Sequence, residues 1–339
     1  MTLQKNKLIV SALLILLFLL EYFYIKEINT IFITGYNDNV NYAIVYDAKF
    51  YYLFVNNYGA DAWKLYGITR NLYGPTFVSW VFDNDLFKIF IFYFISFVFS
   101  IYSLVHHLRD KKLLFFILLL YYPVMVGSLY GANKEITTYI SLIFMLTYII
   151  SMEKKFLFMA FLFAIISRIE LLVVYVLYMF ISRFQRKYRI IFIMLLLFSM
   201  SVILAVTNII DINRLNALIQ ASSSGGTSLI FANLDKMGLY FLTFPVKAIL
   251  NMYSGVKAGF TLSQILTLFG FLSNIFFIIL TLMAIKKKNL FIENNVFLLM
   301  LLYLILFSAG YFIHHRYVAP IYALWLYMAF FKQTKGTQQ

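Results

Sequence analysis

Apolar runs of membrane-crossing length recur along this chain, and no other feature limits its fold so strongly. A spanning helix needs about 20 apolar residues. Ten apolar runs can be placed, at about 8–25, 87–107, 113–131, 136–152, 156–168, 171–183, 190–209, 261–285, 290–310 and 317–331. With 63% hydrophobic and 20% aromatic residues, the chain has more apolar surface than a soluble domain can hide. We expect an all-α, polytopic integral membrane protein, a single transmembrane domain over 1–339. It would have about ten transmembrane helices and two long extracytoplasmic loops, 26–86 and 210–260.

The charge pattern orients those helices. With the N-terminus inside, the cytoplasmic segments carry Lys5, Lys7, Arg109, Lys111, Lys112, Lys154, Lys155, Arg183, Arg186, Lys187, Arg189, Lys286, Lys287, Lys288, Lys332 and Lys335. Only Asp110, Glu153 and Glu293 oppose them, whereas the outer side is almost balanced. Basic residues mark the cytoplasmic side, so both termini are expected there, in a bacterial inner membrane. The formal charge of +14 then needs no nucleic-acid partner. Lys5 and Lys7 precede the first run and no small-residue cleavage site follows it, so it reads as a retained anchor. The chain has no cysteine, which excludes disulfides and thiolate metal sites.

Runs 156–168 and 171–183 flank Ser167-Arg168-Ile169-Glu170. As one helix they would put two charges near mid-bilayer, at a cost of at least ~2.5 kcal/mol each. As a tight helical hairpin they keep both charges at the outer face and leave the charge pattern intact. The second long loop holds a Ser/Gly tract, 222–227, and then an amphipathic stretch expected to lie along the interface. No long internal repeat stands out, which counts against an inverted-repeat transporter.

Four polar clusters sit at helix ends on the outer side. They are Asp47 among Tyr46, Phe50, Tyr51 and Tyr52; Asn133-Lys134-Glu135; Arg168-Ile169-Glu170; and His314-His315-Arg316-Tyr317. Each has a plain structural reading: a turn residue, a helix start, an ion pair and an interfacial anchor. A zinc site from His314 and His315 does not fit, because adjacent helical side chains point about 100° apart. Taken together the clusters match one chemistry. Glycosyl transfer from a lipid phosphate needs a carboxylate to activate the acceptor hydroxyl and cations to hold the departing phosphate. Aromatic faces suit sugar rings and the lipid–water boundary.

The elements also resemble a known family. Asp47-Ala48-Lys49-Phe50-Tyr51, the turn Tyr73-Gly74-Pro75-Thr76-Phe77, Arg168-Ile169-Glu170 and Arg316-Tyr317-Val318-Ala319-Pro320 are similar to motifs of the GT-C superfamily of polyprenyl-phosphate-dependent glycosyltransferases. The short Tyr/Phe-rich chain is similar also to O-antigen polymerases. The resemblance implies a membrane glycosyltransferase of surface-polysaccharide synthesis, with Asp47 and Glu170 as catalytic carboxylates. Lys134, Arg168, His315 and Arg316 would bind donor phosphate, and Tyr51, Arg70, Tyr73, Glu135, Arg214 and Tyr317 would bind substrate. Many relatives have an Asp-Glu pair where this chain has one acid after Tyr46. No metal ligands are therefore assigned, and a divalent cation stays open as cofactor. The implied partners are a polyprenyl-linked sugar donor, a glycan or lipid acceptor, the bilayer and, for a polymerase, a chain-length regulator. The competing classes are a lipid-linked sugar flippase or other transporter, and a non-catalytic membrane subunit.

Overall fold

A computed structural model describes residues 7–34, 55, 73–122, 129, 132–210, 230–231, 233–235, 237–253, 264–309 and 318–331. Every regular element among them is helical. The helices are α1 (Lys7–Thr34), α2 (Tyr73–Val81), α3 (Leu86–His107), α4 (Lys112–Leu120), α5 (Lys134–Ser151) and α6 (Lys154–Ser167). They continue as α7 (Ile169–Ile181), α8 (Arg186–Ile210), α9 (Tyr240–Tyr253), α10 (Gln264–Lys286), α11 (Asn295–Phe307) and α12 (Tyr322–Phe330), with one 3₁₀ turn at Ala319–Ile321. Two stretches, Leu86–His107 and Arg186–Val206, are long and apolar enough to cross a membrane.

The chain divides into two compact units. The first holds α1 to α6, α7 as far as Val173, and residues 319–327. At its centre is α5, buried from Lys134 to Thr147. Thr138 lies beside Ser167, Ser141 donates to the carbonyl of Ala160 at 2.7 Å, and Phe144 packs on Phe156 with centroids 6.4 Å apart. Rising numbers on α5 meet falling numbers on α6, so the two helices run antiparallel. Along α3 the order is the same as on α5: Phe97 meets Tyr139, and His107 meets Glu153 beyond the end of α5. The layer therefore has two polar ends, one at residues 133–135 and 167–170, the other at 106–112 and 153–155.

Local chemistry sets the helix ends. Asp85 caps α3 by accepting from the N–H groups of Phe87 and Lys88 at 3.0 and 3.2 Å. Asn133 caps α5, its side-chain oxygen accepting from Glu135 N–H at 2.9 Å. The Gly74-Pro75 pair, read from sequence as a turn, lies inside the first turn of α2, where a proline N–H is not needed. The loop expected over 26–86 thus contains a nine-residue helix.

The second unit holds the rest of α7, α8, α9, α10 from Asn274, and α11. Its polar groups point inward. Arg189, counted above as a cytoplasmic surface charge, is buried and donates to the carbonyls of Phe184, Ile292 and Glu293 and to Asn295. Asn289 donates to the carbonyls of Met328 and Phe331, both at 2.6 Å. Outward, α8 presents Ile190, Met194, Leu195, Phe198, Val202 and Val206. The helix α9 has the same polarity: Leu242, Val246 and Ile249 are exposed, while Thr243 and Lys247 are buried. Its sequence, read as an interfacial amphipath, is instead apolar on the outside and polar on the packed side, against α8 and α11.

Candidate functional site

The first polar end gathers residues from three helices. The α6 helix stops at Ser167 and α7 starts at Ile169, so one extended residue, Arg168, joins them. Its N–H donates to Ala164 O and its carbonyl accepts from Leu171 N–H, each at 2.9 Å, so Arg168 serves as the end of one helix and the start of the next. The break expected between runs five and six is therefore present. It is held by hydroxyls: Ser167 donates to Lys134 O at 3.1 Å, and Thr138 donates to the same carbonyl at 2.7 Å.

Close approach from a third side fixes this corner further. A Cβ added at Gly74 would lie 1.6 Å from the carbonyl oxygen of Ile166. Only glycine lets the start of α2 sit against the last turn of α6.

Arg168 and Glu135 meet in this corner, and Lys134 and Glu170 stand close to them in sequence, at the starts of α5 and α7. Arg168 Nη2 donates to Glu135 Oε1 at 2.9 Å, with side chains only 8% and 5% exposed. Such a pair is held in place, because removing either member leaves the other charge buried alone. Lys134 is buried in the first turn of α5. Glu170 sits in the first turn of α7, where a helix N-terminus favours an anion. Its Oε2 is buried without a hydrogen-bond partner among the described residues.

Of the residues assigned from sequence, the structure thus brings Glu135 and Arg168 into contact, with Lys134 and Glu170 at the adjoining starts of α5 and α7. Tyr73 opens α2. Asp47, Tyr51, Arg70, Arg214, His315, Arg316 and Tyr317 lie outside the described residues. The plain structural reading pairs Arg168 with Glu170; its carboxylate partner is Glu135.

A second buried pair escaped the sequence reading. Asp235 and Lys247 form an ion pair whose side chains are 0% and 1% exposed, with Thr243 donating to the same carboxylate. The Lys247 ammonium also lies over the rings of Phe231 and Tyr240, 5.7 and 5.3 Å from their centroids. Twelve residues separate the partners, outside the three- and four-residue spacings that betray a helical pair. A lysine within an otherwise apolar helix was the one signal available.

Among the described residues no group of three or more His, Asp or Glu side chains is placed to hold a metal ion. No protein-family model, no curated protein and no solved structure matches this chain.

Proposed function

We propose that the chain is a multi-pass membrane glycosyltransferase of about ten spans, with both termini cytoplasmic in a bacterial inner membrane. It transfers or polymerises sugars from an undecaprenyl phosphate- or diphosphate-linked donor at the extracytoplasmic face. The inside-out polarity of α8 and α9 supports the bilayer setting, since lipid rather than water suits their exposed faces. One observation carries the chemistry. A nearly inaccessible Arg168–Glu135 pair sits at a helix break, with Lys134 and Glu170 close by in sequence, and charge buried among apolar helices marks a functional site by default.

The roles follow from the groups. Glu135 holds the Arg168 guanidinium in place, and a held guanidinium grips phosphate through paired hydrogen bonds. Lys134, next to Glu135 in the chain, adds charge. The acceptor oxygen attacks the anomeric carbon, its proton passes to Asp47 or Glu170, and the bond to the donor phosphate breaks. The electron pair leaves with the phosphate, whose charge Arg168 and Lys134 stabilise. Direct displacement inverts the anomeric centre. Glu170 suits the proton-accepting role because its Oε2 has no hydrogen-bond partner among the described residues and can accept one from the acceptor hydroxyl.

The test is polysaccharide formation in a deletion strain complemented with variants at matched protein level. Asp47→Asn with Glu170→Gln should lower product by about 10²–10⁴-fold. Wild-type product from that double variant sinks the transferase reading. A lipid-linked sugar flippase is the second reading, favoured by the Asp235–Lys247 pair, since charges buried among apolar helices also mark transport paths. It predicts lipid-linked repeat units accumulating on the inner face of the membrane. The layout has its own check: cysteines placed at Asp83 and at Gln185, both on exposed turns, should label from outside and only after permeabilisation, respectively.

A further inference from the structure

The opposite polar end of the first unit carries a recess that the transferase reading does not use. It lies between α3 and the start of α6, with a volume of about 440 Å³, within the roughly 300–1,000 Å³ of small-molecule sites. Its wall is apolar: Phe99, Tyr102, Phe156 and Met159. Its mouth is polar, formed by His106 and Lys155. From Phe99 to His106 the helix rises about 10 Å at 1.5 Å per residue, so the recess runs along α3 to the polar end of the layer.

The mouth is strongly basic. Lys155 lines it and Lys112 Nζ donates to the carbonyl of His106 at 2.8 Å, and the flanking segments 106–112 and 153–155 carry five Lys and Arg residues against Asp110 and Glu153. Glu153 is already engaged. Its Oε2 meets Lys155 Nζ at 2.5 Å and its Oε1 meets His107 Nε2 at 2.9 Å. His107 Nδ1 faces the carbonyl oxygen of Ser103 at 2.8 Å. Both ring nitrogens thus face acceptors. Glu153 offsets one cation, and the surplus of Lys and Arg in the two flanking segments leaves this end of the layer net positive.

We propose that this recess binds an acidic phospholipid of the bilayer, with an acyl chain along Phe99, Phe156 and Met159 and the headgroup phosphate at His106 and Lys155. An apolar slot ending in cations fits a molecule with an apolar body and an anionic head. The slot alone would take any lipid; the basic mouth selects acidic ones. A role for this site is independent of the transferase reading and requires only that these helices sit in a bilayer.

Native mass spectrometry of the full chain in detergent, with added phosphatidylglycerol or phosphatidylcholine, tests the site. The wild type should retain phosphatidylglycerol at least about fivefold more than phosphatidylcholine, a factor expected from one basic residue near an anionic headgroup. Met159→Trp, which fills the slot, should lose both lipids. Lys155→Glu, at a side chain 67% exposed, should abolish the preference while leaving phosphatidylcholine bound. Equal retention of the two lipids by the wild type, or an unchanged preference in Lys155→Glu, overturns the proposal.

Discussion

The buried Glu135–Arg168 pair offers a direct test of how the charged corner is held. At 2.9 Å and an effective dielectric of about 20, the attraction is about 6 kcal/mol. Desolvation of two charges that are nearly inaccessible offsets much of it, and loss of one partner from such pairs costs about 3–5 kcal/mol. Glu135→Leu should therefore destabilise the fold by about that amount, because Arg168 stays buried without its carboxylate. Glu135→Gln keeps an oxygen acceptor for Nη2 and should fall at the low end, near 3 kcal/mol. The double variant Glu135→Leu/Arg168→Met removes both charges and should recover most of the loss. Denaturation of the purified protein in mixed micelles, read by far-UV circular dichroism, gives the four stabilities of a double-mutant cycle. A coupling energy below about 1 kcal/mol would refute the pairing as a structural constraint. The same variants separate structure from chemistry: the double variant should fold and yet form no polysaccharide, since Arg168 is the proposed phosphate ligand.

Three further expectations follow from other parts of the structure. Gly74→Ala places a methyl carbon against the backbone of Ile166, which cannot yield as a side chain would. It should lower stability by about 3 kcal/mol or more, seen as loss of folded protein on thermal melting. Lys247→Met leaves Asp235 buried without its cation and should cost about 3–5 kcal/mol in the same unfolding assay, most of it restored by adding Asp235→Leu. Glu153, held below its ordinary value of 4.5 by hydrogen bonds from Lys155 and then His107, should stabilise the fold above that value. Its contribution should fade as the pH falls through the lowered value, because the unfolded state then binds the proton more readily. Melting temperatures of wild type and Glu153→Gln should converge in acid, and a constant gap at every pH refutes the assignment.

Helical character was legible in the sequence from the apolar runs, but not every helix or end: α1 runs on to Thr34, past the expected end at 25, and α2 stands where a turn was read. The interruption at Arg168 was legible, since charge within an apolar run is costly enough to demand a break. Partner choice was not legible. Arg168 and Glu135 stand 33 residues apart, and only the antiparallel packing of α5 on α6 puts them in contact. A closer candidate, Glu170, looks at least as good on paper. The inverted polarity of α9 was hidden as well, because a periodic stripe tells that a helix has two faces, not which one meets protein. Packing decides that, and here it turned Lys247 inward to Asp235. Nor does any local pattern show why residue 74 is glycine. Its constraint is the backbone of Ile166, brought to it by tertiary structure alone. The sequence determined that the chain is helical and where charge cannot stay in lipid. Tertiary structure decided which charges meet, because contacts between distant segments depend on how whole helices pack.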